Sequence, residues 1–177
     1  MSTIQIEPSP YGVLAAPATL RLQRTLPGPI ERVWAYLTDG DLRRQWLAAG
    51  AMNPAPGASF ELVWRNDELS ASASERPAGF AEESRASCEV TEADPPRRLG
   101  FRWPGVGEVT FELEPLGAQV LLTLTHRQLP KTLSAMVGAG WHMHCDILAA
   151  RIAGARPGSF WAGWTRLRKE YERLLSA

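Results

Sequence analysis

An excess of charge of either sign is missing from this chain. Its 19 Lys and Arg residues balance 19 Asp and Glu residues, and no basic block or stripe stands out. That pattern argues against nucleic acid or an anionic membrane as partner. A long apolar run is missing too, since no window reaches the roughly 18 residues of a membrane span. The opening MSTIQIEPSPYGVLAAPA carries no positive n-region, so no signal peptide is expected and the protein is placed in the cytoplasm. Cysteine is scarce. Cys88 and Cys145 stand far apart in apolar patterns and read as buried free thiols. No Walker loop, dinucleotide fingerprint, zinc ribbon or internal repeat is present. The 177 residues suit one domain with a large core.

Tryptophan is abundant instead. There are seven: Trp34, Trp46, Trp64, Trp103, Trp141, Trp161 and Trp164. A core uses them, and so does a pocket, because each buried indole N–H needs a polar partner. Residues 1–17 are rich in Pro, Ser and Ala and read as an arm; 18–177 read as the domain. ATLRLQRTL alternates Leu20, Leu22 and Leu26 against Arg21, Gln23 and Thr25, a half-buried strand. Ile30, Val33, Trp34 and Leu37 then fall at helical spacing after a proline. DGDLRRQWLA reads as a second short helix with Asp39 or Asp41 as cap. Strands follow at SFELVW, ESRASCEVTEA, RLGFRW, EVTFELE and QVLLTLTHR, joined by turns except for 66–81, which read as a mobile polar loop. Two helices close the chain. In 140–153 the stripe is Trp141, His144, Cys145, Leu148 and Ile152, with His142 and Asp146 on other faces. In 160–175 it is Phe160, Trp164, Leu167, Tyr171 and Leu174. Strand, two helices, five strands and two helices suggest an α+β fold with a helix laid on a curved antiparallel sheet of about six strands.

The stretch GAGWHMHCDILAARIAG, residues 138–154, raises the question of chemistry. His142 and His144 point roughly 200° apart on a helix, so they do not share a metal. A converging His126, His144 and Cys145 set is the one metal geometry open. Cys145 with His126 is the one dyad open, and no oxyanion device accompanies it. The favoured reading is a solvated His142, a packing Cys145, no metal and no cofactor. Strand phase turns Arg24, His126 and His144 toward the buried side, where each needs a partner, such as Asp39 for Arg24.

RTLPGPIERVWAYLTDGDLRRQW resembles the opening of the SRPBCC, or START-like, superfamily, in the branch similar to the activator of the 90-kDa heat-shock chaperone ATPase. The matching residues are Arg24, Val33, Trp34 and Trp46. DPPRRLGFRW resembles the branch's Pro-Pro-Arg-x-Leu turn and strand, and GWHMHCDILAARIAG its Gly-Trp opening of the long helix. The resemblance implies the helix-grip fold, a sheet curled around a long C-terminal helix with a cavity between, and two short helices after the first strand. Members bind lipids, polyketides, hormones or other apolar molecules; a few are cyclases or hydrolases, and some assist chaperones. The extra helix at 160–175 departs from the pattern and leaves open which terminal helix lines the pocket and which covers it.

The expected function is binding or sequestration of a hydrophobic or aromatic small molecule in an internal cavity, without a catalytic centre evident in the sequence. Trp34 and Trp46 from the short helices line the expected pocket. The strands contribute Phe60, Leu62, Trp64, Phe101, Trp103, Phe111, Leu122 and His126, and the long helix Trp141, His144, Cys145 and Leu148. Two alternatives stand beside it: a cyclase- or hydrolase-like enzyme with His126 or His144 as general base, and an interaction module stimulating a chaperone ATPase. The chain is expected to be a monomer or homodimer, with the extra helix docked by preference on its own domain, its Trp161 and Trp164 end near the pocket edge, and otherwise on a second copy.

Overall fold

The computed structural model describes residues 9–176. Seven antiparallel strands form one sheet: β1 (Val13–Ala16), β2 (Thr19–Pro27), β3 (Ser59–Trp64), β4 (Ser84–Asp94), β5 (Arg98–Trp103), β6 (Gly107–Leu116) and β7 (Gln119–Arg127). Their order across the sheet is β1-β2-β7-β6-β5-β4-β3. Helices α1 (Ile30–Thr38) and α2 (Gly40–Arg44) lie between β2 and β3, and α3 (Ser134–Ala153) and α4 (Phe160–Leu174) end the chain. This is the α+β helix-grip arrangement. One strand more than expected is present, because residues 13–16 of the arm pair with β2 at the sheet edge. Residues 1–8 of the arm lie outside the described residues.

Alternation sets the sheet's inner face. Leu20, His126, Val109, Phe101 and Val90 form one transverse row through successive strand pairs. All five are buried. Side chains two residues apart share a face, so the same phase turns Arg24 inward. Its partner is Asp146 of α3, with Nε donating to Oδ1 at 2.9 Å. The expected partner, Asp39, instead caps α2 by accepting from the Asp41 and Leu42 amides. Arg43 of α2, not foreseen as interior, is buried and donates to the carbonyls of Leu37, Thr38 and Gly50. It thereby satisfies free carbonyls at the end of α1.

α3 packs on β2 on one side and α4 on another. Trp141, His142, Met143, His144 and Cys145 are five consecutive buried residues, so this stretch of the helix is covered all round rather than along one stripe. His142 is therefore not solvated: α4 lies over it. Tyr171 of α4 accepts from the Gly12 amide at 2.7 Å, and its hydroxyl hydrogen is left for His142 Nδ1 at 2.8 Å. His142 Nε2 sits 3.4 Å from Asp146 Oδ2. A continuous polar chain thus joins the segment before β1, α4, α3 and β2. Phe160, Trp164, Leu167 and Tyr171 are buried as their spacing implies, but Leu174 is 53% exposed and Leu175 takes its place. The stripe closes with a step of four rather than three at the end of the helix.

Part of 66–81 is held against the start of α4. The segment forms short 3-10 turns at Asn66–Leu69 and Ala73–Glu75. Ser70 Oγ accepts from the Trp161 amide, and Asp67 Oδ1 accepts from Trp161 Nε1 at 2.9 Å. The small polar residues satisfy the free N–H end of α4, a use that their composition does not reveal.

Trp46 is fully buried and donates its indole N–H to the Tyr36 carbonyl at 2.8 Å, whereas Trp34 is only partly buried. Trp46→Ala is expected to cost about 3–5 kcal/mol in urea melts, and Trp34→Ala clearly less. Equal losses would contradict this division of roles.

Candidate ligand-binding site

The protein does not fill the space beside the first half of α3. A cavity of about 430 Å³ opens there between the β3–β5 side of the sheet, residues 79–84 and the start of α4. Five tryptophans line it: Trp64, Trp103, Trp141, Trp161 and Trp164. Trp64 and Trp103 stack, with ring centroids 5.1 Å apart. Between them runs β4, whose residues Ser84 and Ala86 on that face are small enough to let the two rings meet. Trp103 meets Trp141 edge-on at 6.5 Å. On the opposite wall Phe80 packs against Trp161 and Trp164.

Three of the five indoles are fixed by the polar contacts they make. Trp164 Nε1 donates to the Met136 carbonyl and Trp161 Nε1 to Asp67. Trp141 Nε1 donates to His126 Nδ1 at 3.0 Å, while His126 Nε2 bonds to the Val106 carbonyl at 2.8 Å. A carbonyl only accepts, so the His126 proton is on Nε2 and its Nδ1 lone pair is taken. Burial holds this imidazole below its usual pKa, against the opposing hydrogen bond to Val106. His126 is thus a neutral strut with no lone pair left to act as a base. Gly107 makes that contact possible. Its φ is +125°, and a Cβ there would stand 2.1 Å from the Arg127 carbonyl oxygen, so the turn that presents Val106 requires glycine.

His144 is different. Its Nδ1 lies 2.8 Å from the Trp46 carbonyl and must donate to it. The ring stacks on Phe160 at 4.4 Å and lines the cavity. Nε2 is left as an acceptor without a partner among the described residues. Burial pushes the pKa of this group down to about 4, more than the hydrogen bond to Trp46 raises it. Cys145, its neighbour, is completely buried, and burial raises its thiol to about 12. Such a thiol packs and does not react. Among the described residues, no group of three or more His, Cys, Asp or Glu converges as a metal site would.

Residues 27–153 match the family model described as "Activator of Hsp90 ATPase homolog 1-like protein". The chain belongs to this family. Among solved structures, a Bordetella parapertussis protein seen by solution NMR shares 37% identity over 98% of this chain and 94% of its own, with a TM-score of 0.79. CalU16 from Micromonospora echinospora is 23% identical over 90% of this chain and 89% of its own, with a TM-score of 0.67. The Aha1 dimer from Colwellia psychrerythraea is 16% identical over 76% and 95%, with a TM-score of 0.59. The last two share the fold alone. No curated protein matches. No helix among the described residues of this family member is long and apolar enough to cross a membrane.

Of the fourteen residues expected around a pocket, Trp64, Trp103, Trp141 and His144 line this cavity. The other ten do not. Trp46, Phe60, Leu62, Phe101, Phe111, Leu122, Cys145 and Leu148 are packed in the core, His126 stands behind Trp141, and Trp34 packs at the core's edge. Among the described residues the inner face of the sheet is filled where α3 presses on β2 and hollow toward β3. The expected pocket set leaves out Leu47, Asn66, Phe80, Met136, Val137, Gly140, Phe160, Trp161 and Trp164, although docking of the extra helix already puts its Trp161 and Trp164 end near the pocket edge. The signal for the last three was their place at the start of a helix already known to need docking. Nothing in the sequence marked Phe80.

The pKa of His144 carries a consequence for stability. An unfolded histidine takes up its proton near 6.5, the folded one only near 4. Between those values the unfolded chain binds more protons, so stability is full above about pH 6.5 and falls as pH drops toward 4. The loss should be on the order of 3 kcal/mol. Urea melts of wild type and His144→Phe at neutral and acid pH check this. The variant should lose less stability on acidification, and an equal loss in both would contradict the assignment.

Proposed function

We propose that this protein binds an uncharged aromatic or otherwise apolar small molecule in the cavity beside α3, in the cytoplasm, without transforming it. The observation that carries the reading is a cavity of about 430 Å³ walled by five tryptophans and two phenylalanines. Its size falls within the range of small-molecule sites, and a mostly apolar wall with a few oriented polar groups is their usual make-up. Family membership supports the same reading at the level of fold. Two buried free thiols, Cys88 and Cys145, suit a reducing compartment.

Binding is favoured over the enzyme reading by the two histidines. His126 has both nitrogens engaged. His144, held near a pKa of 4, is a weak base at neutral pH, far from the matched value that general-base catalysis requires. The chaperone-activator reading rests on the family's description alone, whereas the cavity is built from this chain's own residues.

Prodan, an uncharged naphthalene dye without a hydrogen-bond donor, serves as a probe. It should bind saturably at one per chain, with a blue-shifted emission. Trp103→Ala removes half of the stacked pair and should weaken binding about tenfold, equivalent to about 1.4 kcal/mol. Absence of saturable binding, or binding indifferent to Trp103, would count against a ligand in this cavity.

A further inference from the structure

We infer that the cavity selects ligands presenting a neutral hydrogen-bond donor, such as a phenolic O–H or an aromatic N–H, to Nε2 of His144. The inference rests on the binding reading above and goes beyond it by naming the chemistry at one end of the ligand. The Trp46 carbonyl dictates the tautomer. Because that carbonyl accepts from Nδ1 at 2.8 Å, the proton cannot sit on Nε2 without charging the ring. The ring cannot easily turn over to exchange its nitrogens, since it is stacked on Phe160 and buried in α3. Nε2 is therefore a fixed lone pair on the wall of an aromatic cavity.

The charge of the lining points the same way. No lysine or arginine lines the cavity, while Glu82 and Glu83 do. Glu83 is already engaged by Arg65 and Arg85. A carboxylate or phosphate ligand would meet a lone pair at His144 and the negative charge of Glu82 and Glu83, with no cation in the lining to offset them. Protonation of His144 does not rescue such an anion at neutral pH, since burial keeps the ring neutral. The indole N–H groups of Trp141, Trp161 and Trp164 are committed to protein acceptors. The two remaining indoles belong to the stacked pair of β3 and β5.

The neighbouring polar chain through His142 does not compete for this role. His142 faces Tyr171 and Asp146 rather than the cavity, and its partners are protein groups on every side.

The test is a ligand series on the wild-type protein by displacement of prodan near neutral pH: 2-naphthol, 2-methoxynaphthalene and 2-naphthoate. These share one ring system and differ in whether they offer a donor, no donor, or a negative charge. One neutral hydrogen bond is worth a ratio of about fivefold to tenfold. The naphthol should bind tighter than the ether by at least that lower factor, and the naphthoate should bind weakest. In His144→Phe the naphthol-to-ether ratio should fall to about one. A direct readout is the imidazole 15N spectrum of the wild type. The unprotonated Nε2 resonance of His144 should move upfield with naphthol and stay in place with prodan, which shows the hydrogen bond even if the variant fails to fold. An ether that binds as tightly as the naphthol, a naphthoate that binds best, or an Nε2 resonance unmoved by naphthol would overturn the inference while leaving prodan binding intact. Failure of prodan and of the whole series to bind would overturn the cavity reading itself.

Discussion

Along Trp141–Cys145 α3 is buried on every side, so the polar side chains of that stretch must find their partners inside the protein. That requirement fixes most of the architecture around the helix. Asp146 takes Arg24 of β2, His142 takes Tyr171 of α4, His144 takes the chain end of α2 at Trp46, and Trp141 takes His126 of β7. Each bond replaces hydration that a buried polar group has lost, and an unmet one would cost a kcal/mol or more. Four elements are thereby located relative to one helix by groups that cannot be left alone. The Tyr171 hydroxyl extends the same logic to the segment before β1 by accepting from Gly12.

The cavity follows from where these ties end. Toward its C-terminal half, α3 carries Leu148 and Ile152 into a closed core. Toward its N-terminal half it carries Met136, Val137 and Gly140, and the facing strands offer Trp64 and Trp103. Broad flat rings on one side and a small residue on the other leave unfilled volume. α4 closes that volume with Phe160, Trp161 and Trp164 instead of filling it. His144 stands at the boundary between the packed and hollow halves. One of its nitrogens belongs to the structure and the other is left to the cavity.

Much of this was legible in the sequence because it is periodic. Leu20, Leu22, Leu122, Leu124, Phe101 and Phe111 alternate with polar residues, and all six face the core. Arg24 kept the same phase, so its inward direction was predictable while its partner was not: Asp146 is 122 positions away and lies on a helix face that sequence alone assigns to solvent. The same omission hid the burial of His142. The first follows from α3 packing on β2 and the second from α4 docking on α3, tertiary events with no local signature beyond an apolar stripe. The pocket was harder still. Cores and pockets draw on the same side chains, so Trp46 and Trp64 look alike in sequence, and only packing makes the first a strut and the second a wall. In residues 66–81 the sequence gives no sign of the helix end that Asp67 and Ser70 satisfy.

Hydrogen exchange by mass spectrometry, on the full chain with and without saturating prodan, tests the central claim most directly. Occupation of the cavity should slow exchange in three separated segments, 79–84, 133–144 and 160–164, which meet only around that space. β1 and the adjoining part of β2 should exchange as before. Protection confined to the β1 face, or no protection in the three segments at saturation, would contradict the account.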